Sequence, residues 1–136
     1  MARIMAIDYG AKRSGLAVTD PMQIIATGLA TVDTHDLMDY LKAYIQKEPV
    51  ERIIMGLPKS LDGTDTHATN PVRHYAGRIR RTFPTIPVVF VDEQYTSKMA
   101  SRAMVDMGMK KKDRRNKALV DEIAATLILQ EYMGQS

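Results

Sequence analysis

An α/β fold is predicted: a five-stranded mixed sheet, three antiparallel strands and then two parallel additions, flanked by helices. Three observations predict it. The first three apolar runs are joined by short glycine- and proline-marked turns, which suit an antiparallel meander. Two later apolar runs are each reached through a helix-length crossover, which allows parallel pairing. The resulting order is strand, strand, strand, helix, strand, helix, strand, helix, helix, which layers helices on the faces of one sheet.

Taken in turn, Ile4 to Asp8, Gly15 to Asp20 and about Ile25 to Val32 are the first three strands. Leu37, Met38, Leu41, Tyr44 and Ile45 recur at helical spacing, with Asp33 or Thr34 as a cap and Pro49 as a stop. Arg52 to Gly56 forms the fourth strand. The segment from there to His67 is expected to be a polar, mobile loop. Asn70-Pro71 reads as a cap followed by proline at the first helical position, and Val72, Tyr75, Ala76, Ile79 and Phe83 make the buried stripe behind it. Pro87 to Asp92 is almost continuously apolar, as a central strand buried on both faces would be. A third helix is expected from Thr96 to Gly108, then a basic loop, then a last helix from near Asn116 to about Met133.

At 136 residues the chain is long enough for one domain with a real core, residues 1–136. It has no cysteine, which excludes disulfides and thiolate metal sites. Neither a signal-peptide pattern nor a membrane-length apolar run is visible, so a soluble cytoplasmic protein is the expectation. The net charge is only +3, but Lys98 to Lys117 holds eight cations against two acids, +6, leaving −3 for the rest. A basic segment on a slightly acidic body suits an anionic polymer.

Three acids stand out of place. Asp8 ends the first strand, Glu93 follows Asp92 at the end of the last, and Asp121 starts the inner stripe of the last helix, sharing a face with Ala124, Ala125 and Ile128. Singly, each has an ordinary explanation: a loop cap, a surface acid, a first-turn residue favoured by the helix dipole. Jointly, at strand ends where α/β sheets bind ligands, they point to a hard divalent cation. Two ions about 3.5–4 Å apart can activate water and stabilise a leaving oxygen on a phosphodiester. The loop after Asp8 carries Gly10 and Gly15, which permit close approach, and the adjacent cations Lys12 and Arg13. Gly56 and Pro58 shape a second rim, or simply end a strand. His35, His67 and His74 are scattered and read as surface residues.

The ordered set Asp8-x-Gly10, Lys12-Arg13-x-Gly15, Gly56-Leu57-Pro58, Asp92-Glu93-x-x-Thr96 and Lys117-x-x-x-Asp121-x-x-Ala124-Ala125 resembles the bacterial Holliday-junction-resolvase-like family. Its members are also described as nucleases of pre-16S ribosomal RNA. The resemblance covers nearly the whole chain; Gln94 stands where members often carry arginine. It implies a ribonuclease H-like fold and Mg²⁺- or Mn²⁺-dependent phosphodiester cleavage, two ions being expected, at Asp8, Glu93 and Asp121. Asp8 would bridge the ions. Lys12, Arg13, Lys59, Lys98, Lys110, Lys111, Lys112, Arg114, Arg115 and Lys117 are the candidate contacts to nucleic acid. The expected activity is trimming of the 5′ end of pre-16S rRNA, with cleavage of branched DNA as the alternative. The partners would be those nucleic acids, with no membrane, and the chain a monomer or homodimer. A non-catalytic ribosome-assembly factor predicts binding without a divalent ion. An actin-like phosphate kinase normally needs two such domains.

Overall fold

The computed structural model describes residues 2–93, 105, 106, 108, 110 and 116–134. Within them run β1 (Arg3–Asp8), β2 (Arg13–Thr19), β3 (Ala26–Asp33), a 3₁₀ turn (Thr34–Asp36), α1 (Leu37–Lys47), β4 (Val50–Pro58), α2 (Thr69–Thr82), β5 (Val88–Glu93) and α3 (Lys117–Gly134). The five strands form one sheet in the order β3-β2-β1-β4-β5. β1 pairs antiparallel with β2, and β2 with β3; β4 joins β1 in parallel, and β5 joins β4 in parallel. The expected mixed sheet is therefore present. The helix expected from Thr96 to Gly108 and the basic loop after it fall largely outside the described residues.

Strand alternation sorts the core into two layers. Met5, Ile7, Leu16, Val18, Ile53, Met55 and Leu57 face α1 and α2, meeting Leu37, Leu41, Val72, Tyr75 and Ile79. Ile4, Ala6, Ala17, Ile54 and Val91 face the other way, onto Ala125, Ile128 and Leu129 of α3. The α3 layer is built from smaller residues, so that helix lies close on the sheet. No helix among the described residues is long and apolar enough to cross a membrane.

Four expectations need correction. Val88–Glu93 is an edge strand of the described sheet, not a central one. Its two-sided apolarity reflects cover by helices on both faces. Arg80 shields it, donating to the Val88 carbonyl at 2.9 Å and stacking over Phe90 at 5.2 Å. Neither Asp33 nor Thr34 caps α1, because the Thr34 side chain is spent on the loop after β1: Thr34 Oγ1 donates to the Gly10 carbonyl at 2.5 Å. Asn70 does not cap α2, which already begins at Thr69; Pro71 still falls in its first turn, where a missing N–H costs nothing. The segment after β4 is tied down rather than loose. Thr69 Oγ1 donates to the Pro58 carbonyl at 2.6 Å, the Ser60 amide to the Thr64 carbonyl at 2.9 Å, and Lys59 bridges to Asp65.

Candidate active site

Asp8 is the last residue of β1, the central strand of the sheet. By alternation from Ile4 and Ala6, its side chain lies on the α3 face. Its partner across β2 is Gly15, and Ile7 pairs with Met55, which sets Gly56 alongside Asp8 on β4. The acid is thus flanked by glycines on both neighbouring strands.

Each glycine admits one of the other two acids. A Cβ on Gly15 would stand 2.0 Å from the Asp121 carbonyl oxygen, so only glycine lets the first turns of α3 press against β2. Thr31 Oγ1 pins the same end of the helix by donating to the Ala118 carbonyl at 2.5 Å, and Asn116 Oδ1 caps it by accepting from the Leu119 amide at 3.3 Å. A Cβ on Gly56 would stand 2.6 Å from Glu93 Oε2. The Glu93 carboxylate therefore leans across β4 toward Asp8. Its backbone is fixed by pairing with Pro58 and by the Lys59 amide, which donates to the Glu93 carbonyl at 3.1 Å.

The electrostatics follow from this crowding. Burial, then the neighbouring Asp121 charge, raises the Asp8 carboxyl from 3.8 to about 7. Burial, then Asp8, then Glu131, raises Glu93 from 4.5 to about 8. Asp8 is thus the acid that both others approach. The three are not a closed cage. Among the described residues, the one His or acid group whose ligand atoms all lie within 4.8 Å of one another is Asp33, His35 and Asp36, which is solvent-exposed. Buried carboxylates that repel one another are nevertheless the oxygen-rich, charge-deficient surroundings that suit Mg²⁺ or Mn²⁺, and the donor set fits such an ion.

The cations divide into distinct states. Arg13 donates through Nε to Asp121 Oδ2 at 2.9 Å. Lys59 lies 2.5 Å from Asp65, which also accepts from Arg73 at 2.7 Å. These bonds, that from Arg73 first, hold the Asp65 carboxyl down at about 2. Lys12, Lys110 and Lys117 are exposed. Lys98, Lys111, Lys112, Arg114 and Arg115 lie outside the described residues. Gly10 serves the turn itself: a Cβ there would stand 2.3 Å from the Arg13 carbonyl oxygen. His35, His67 and His74 are on the surface, as expected.

Sequence reasoning missed two contributors. Buried Ser14 accepts from the Gly10 amide at 3.3 Å and shares a 2.9 Å hydrogen bond with Thr34, fixing the loop that follows Asp8. Nothing in a polar strand residue announces that role. Glu131 adds negative charge beside Glu93. It follows the buried Ile128 by three residues, so helical periodicity would have placed it inward.

A sheet in this order, with acids at the C-terminal ends of β1 and β5 and a third on a helix laid across them, defines a ribonuclease H-like protein of the nuclease and resolvase class. The fold is shared with the fowlpox virus resolvase solved with a Holliday junction (TM-score 0.63, 13% identity, 98% of this chain and 97% of that one). It is shared too with the T. thermophilus RuvC–Holliday junction complex (TM-score 0.56, 16% identity, 98% and 97%). The chain belongs to the RuvX family, described as Holliday junction resolvase, whose model matches residues 2–135. Over 133 residues it is 56% identical to a Phocaeicola vulgatus protein and 52% identical to one from Bacteroides thetaiotaomicron, covering 98% of this chain and 96% of each relative. Both carry the name "Putative pre-16S rRNA nuclease". These relationships place the chain among hydrolases of phosphodiester bonds.

Proposed function

We propose that this chain is a divalent-metal-dependent nuclease of structured nucleic acid, and that its substrate is the 5′ end of immature 16S rRNA in the cytoplasm. The observation that carries the reading is the meeting of Asp8 with both Asp121 and Glu93 on the α3 face, each admitted by a glycine. The names of relatives at 52–56% identity favour ribosomal RNA over other polymers.

Asp8, Glu93 and Asp121 would hold Mg²⁺ or Mn²⁺. The bound ions supply the Lewis acidity that activates water and offsets charge on the phosphodiester. Asp8, on the innermost strand, fixes the reference point. Glu93 is held from behind by the Pro58–Lys59 backbone. Exposed Lys12 and Lys117, near the first and third acids in sequence, attract the phosphate backbone without reading bases. Residues 1–136 act as one domain in this reading.

The test is cleavage of a 5′-extended 16S rRNA transcript by purified protein with Mg²⁺ or Mn²⁺, beside a synthetic four-way DNA junction. Asp8→Asn should abolish cutting while leaving the fold intact by circular dichroism. Undiminished cleavage by that variant would remove the mechanism. Preference for the junction would move the substrate to branched DNA, as the family description suggests.

A further inference from the structure

We propose that Arg13 is a built-in substitute for the divalent ion: guanidinium and metal compete for the Asp121 carboxylate, and metal loading releases Arg13 to a backbone phosphate. This rests on the metal-nuclease reading above and adds an order of events to it.

Arg13 opens β2 and lies two residues before Gly15, so both fall on the face that meets α3. There it reaches the acid that neighbours Asp8. Among the described residues it is the one cation ion-paired with Asp8, Glu93, Asp121 or Glu131. A single positive charge thus stands against a run of mutually repelling carboxylates, as a divalent ion would.

The pair is built to exchange. Its side chains are 37% and 23% exposed, so it sits at the mouth of the site, where ion pairs are weak. Only Nε is engaged; the two Nη groups make no hydrogen bond among the described residues. A divalent ion is the stronger partner for a carboxylate oxygen. Once displaced, the planar fork has its donors free for a phosphate, the group it matches in a bidentate fashion. Loop 9–12 and Ser14 are held by Thr34, so the backbone on either side stays in place while the side chain moves.

Reciprocity then requires that metal and nucleic acid each strengthen binding of the other. The test compares wild type, Arg13→Gln and Arg13→Lys. Mn²⁺ affinity is measured by electron paramagnetic resonance of the free ion, without nucleic acid. Arg13→Gln should bind Mn²⁺ roughly 5-fold more tightly, at the low end of typical coupling. Its melting temperature should rise more on adding Mn²⁺ than that of the wild type. For a phosphorothioate RNA duplex, Mn²⁺ should tighten wild-type binding, and Arg13→Gln should lose that gain with a salt slope lower by about one ion. Arg13→Lys keeps the charge without the fork, so it should retain competition and lose part of the gain. It also serves if Arg13→Gln misfolds. Equal or weaker Mn²⁺ binding by Arg13→Gln, beside clear binding by wild type, overturns the competition alone. Absence of Mn²⁺ binding in every protein overturns the metal reading and this inference together.

Discussion

Gly56 lies directly beneath the Glu93 carboxylate, with room for no more than a hydrogen: a Cβ there would be 2.6 Å from Glu93 Oε2 and 2.7 Å from Ile128 Cδ1. Both neighbours are ends of flexible side chains, so Gly56→Ala should fold, at an overpacking cost of about 1–3 kcal/mol. The carboxylate must leave its present position to make room. Mn²⁺ affinity and kcat should each fall about 10-fold or more, since small displacements of positioned groups are costly. Gly28→Ala is the control, because a Cβ there would meet nothing closer than 3.4 Å. Equal activity of the two variants would show that the position of Glu93 does not matter.

Stability of the metal-free protein should depend on pH in a direction opposite to that of ordinary carboxylates. Asp8 and Glu93 titrate at about 7 and about 8 in the fold, against 3.8 and 4.5 ordinarily. The folded form therefore holds protons that the unfolded chain has released. Their contribution is fully present below about pH 4 and is lost as pH rises through 7 to 8. Urea midpoints in EDTA should fall across that window, Asp8→Asn should flatten the fall, and Mg²⁺ should counter it. A midpoint rising from pH 5 to 8 in EDTA would contradict the assigned surroundings.

The segment after β4 gives a separate prediction. Asp65 holds both Lys59 and Arg73, and its depressed carboxyl near 2 means the tie persists through the ordinary pH range and fails only in strong acid. The tie is solvent-exposed, so Asp65→Asn should leave the melting temperature nearly unchanged. It should, however, raise the rate of tryptic cleavage after Lys59. Unchanged proteolysis would assign the order of this segment to Thr69 and Pro58 instead.

Much of the architecture was legible because apolar runs and turn residues report local structure directly. Short loops around Gly10 and Asp20-Pro21 gave the meander, and the helix-length crossovers gave the parallel pairs. Acids at the ends of apolar runs picked out Asp8 and Glu93, and the helical period placed Asp121 inward. What stayed hidden depends on partners distant in sequence. Val88–Glu93 is as apolar as an inner strand, yet it lies at the sheet edge, because a strand sandwiched between helices looks the same wherever it sits. Gly15 signalled close approach and Gly56 a rim or a strand end, but neither signalled that the groups beside them are the Asp121 backbone and the Glu93 carboxylate. Arg13 advertised a phosphate contact and turned out to hold an acid.

The three acids ride on elements of unequal tenacity. Asp8 belongs to the central strand, whereas Glu93 sits at the tip of an edge strand of the described sheet. Peripheral strands open at lower free energy than interior ones. On gentle warming the enzyme should fall silent while its hydrophobic interior remains intact, and it should recover on cooling without refolding from scratch.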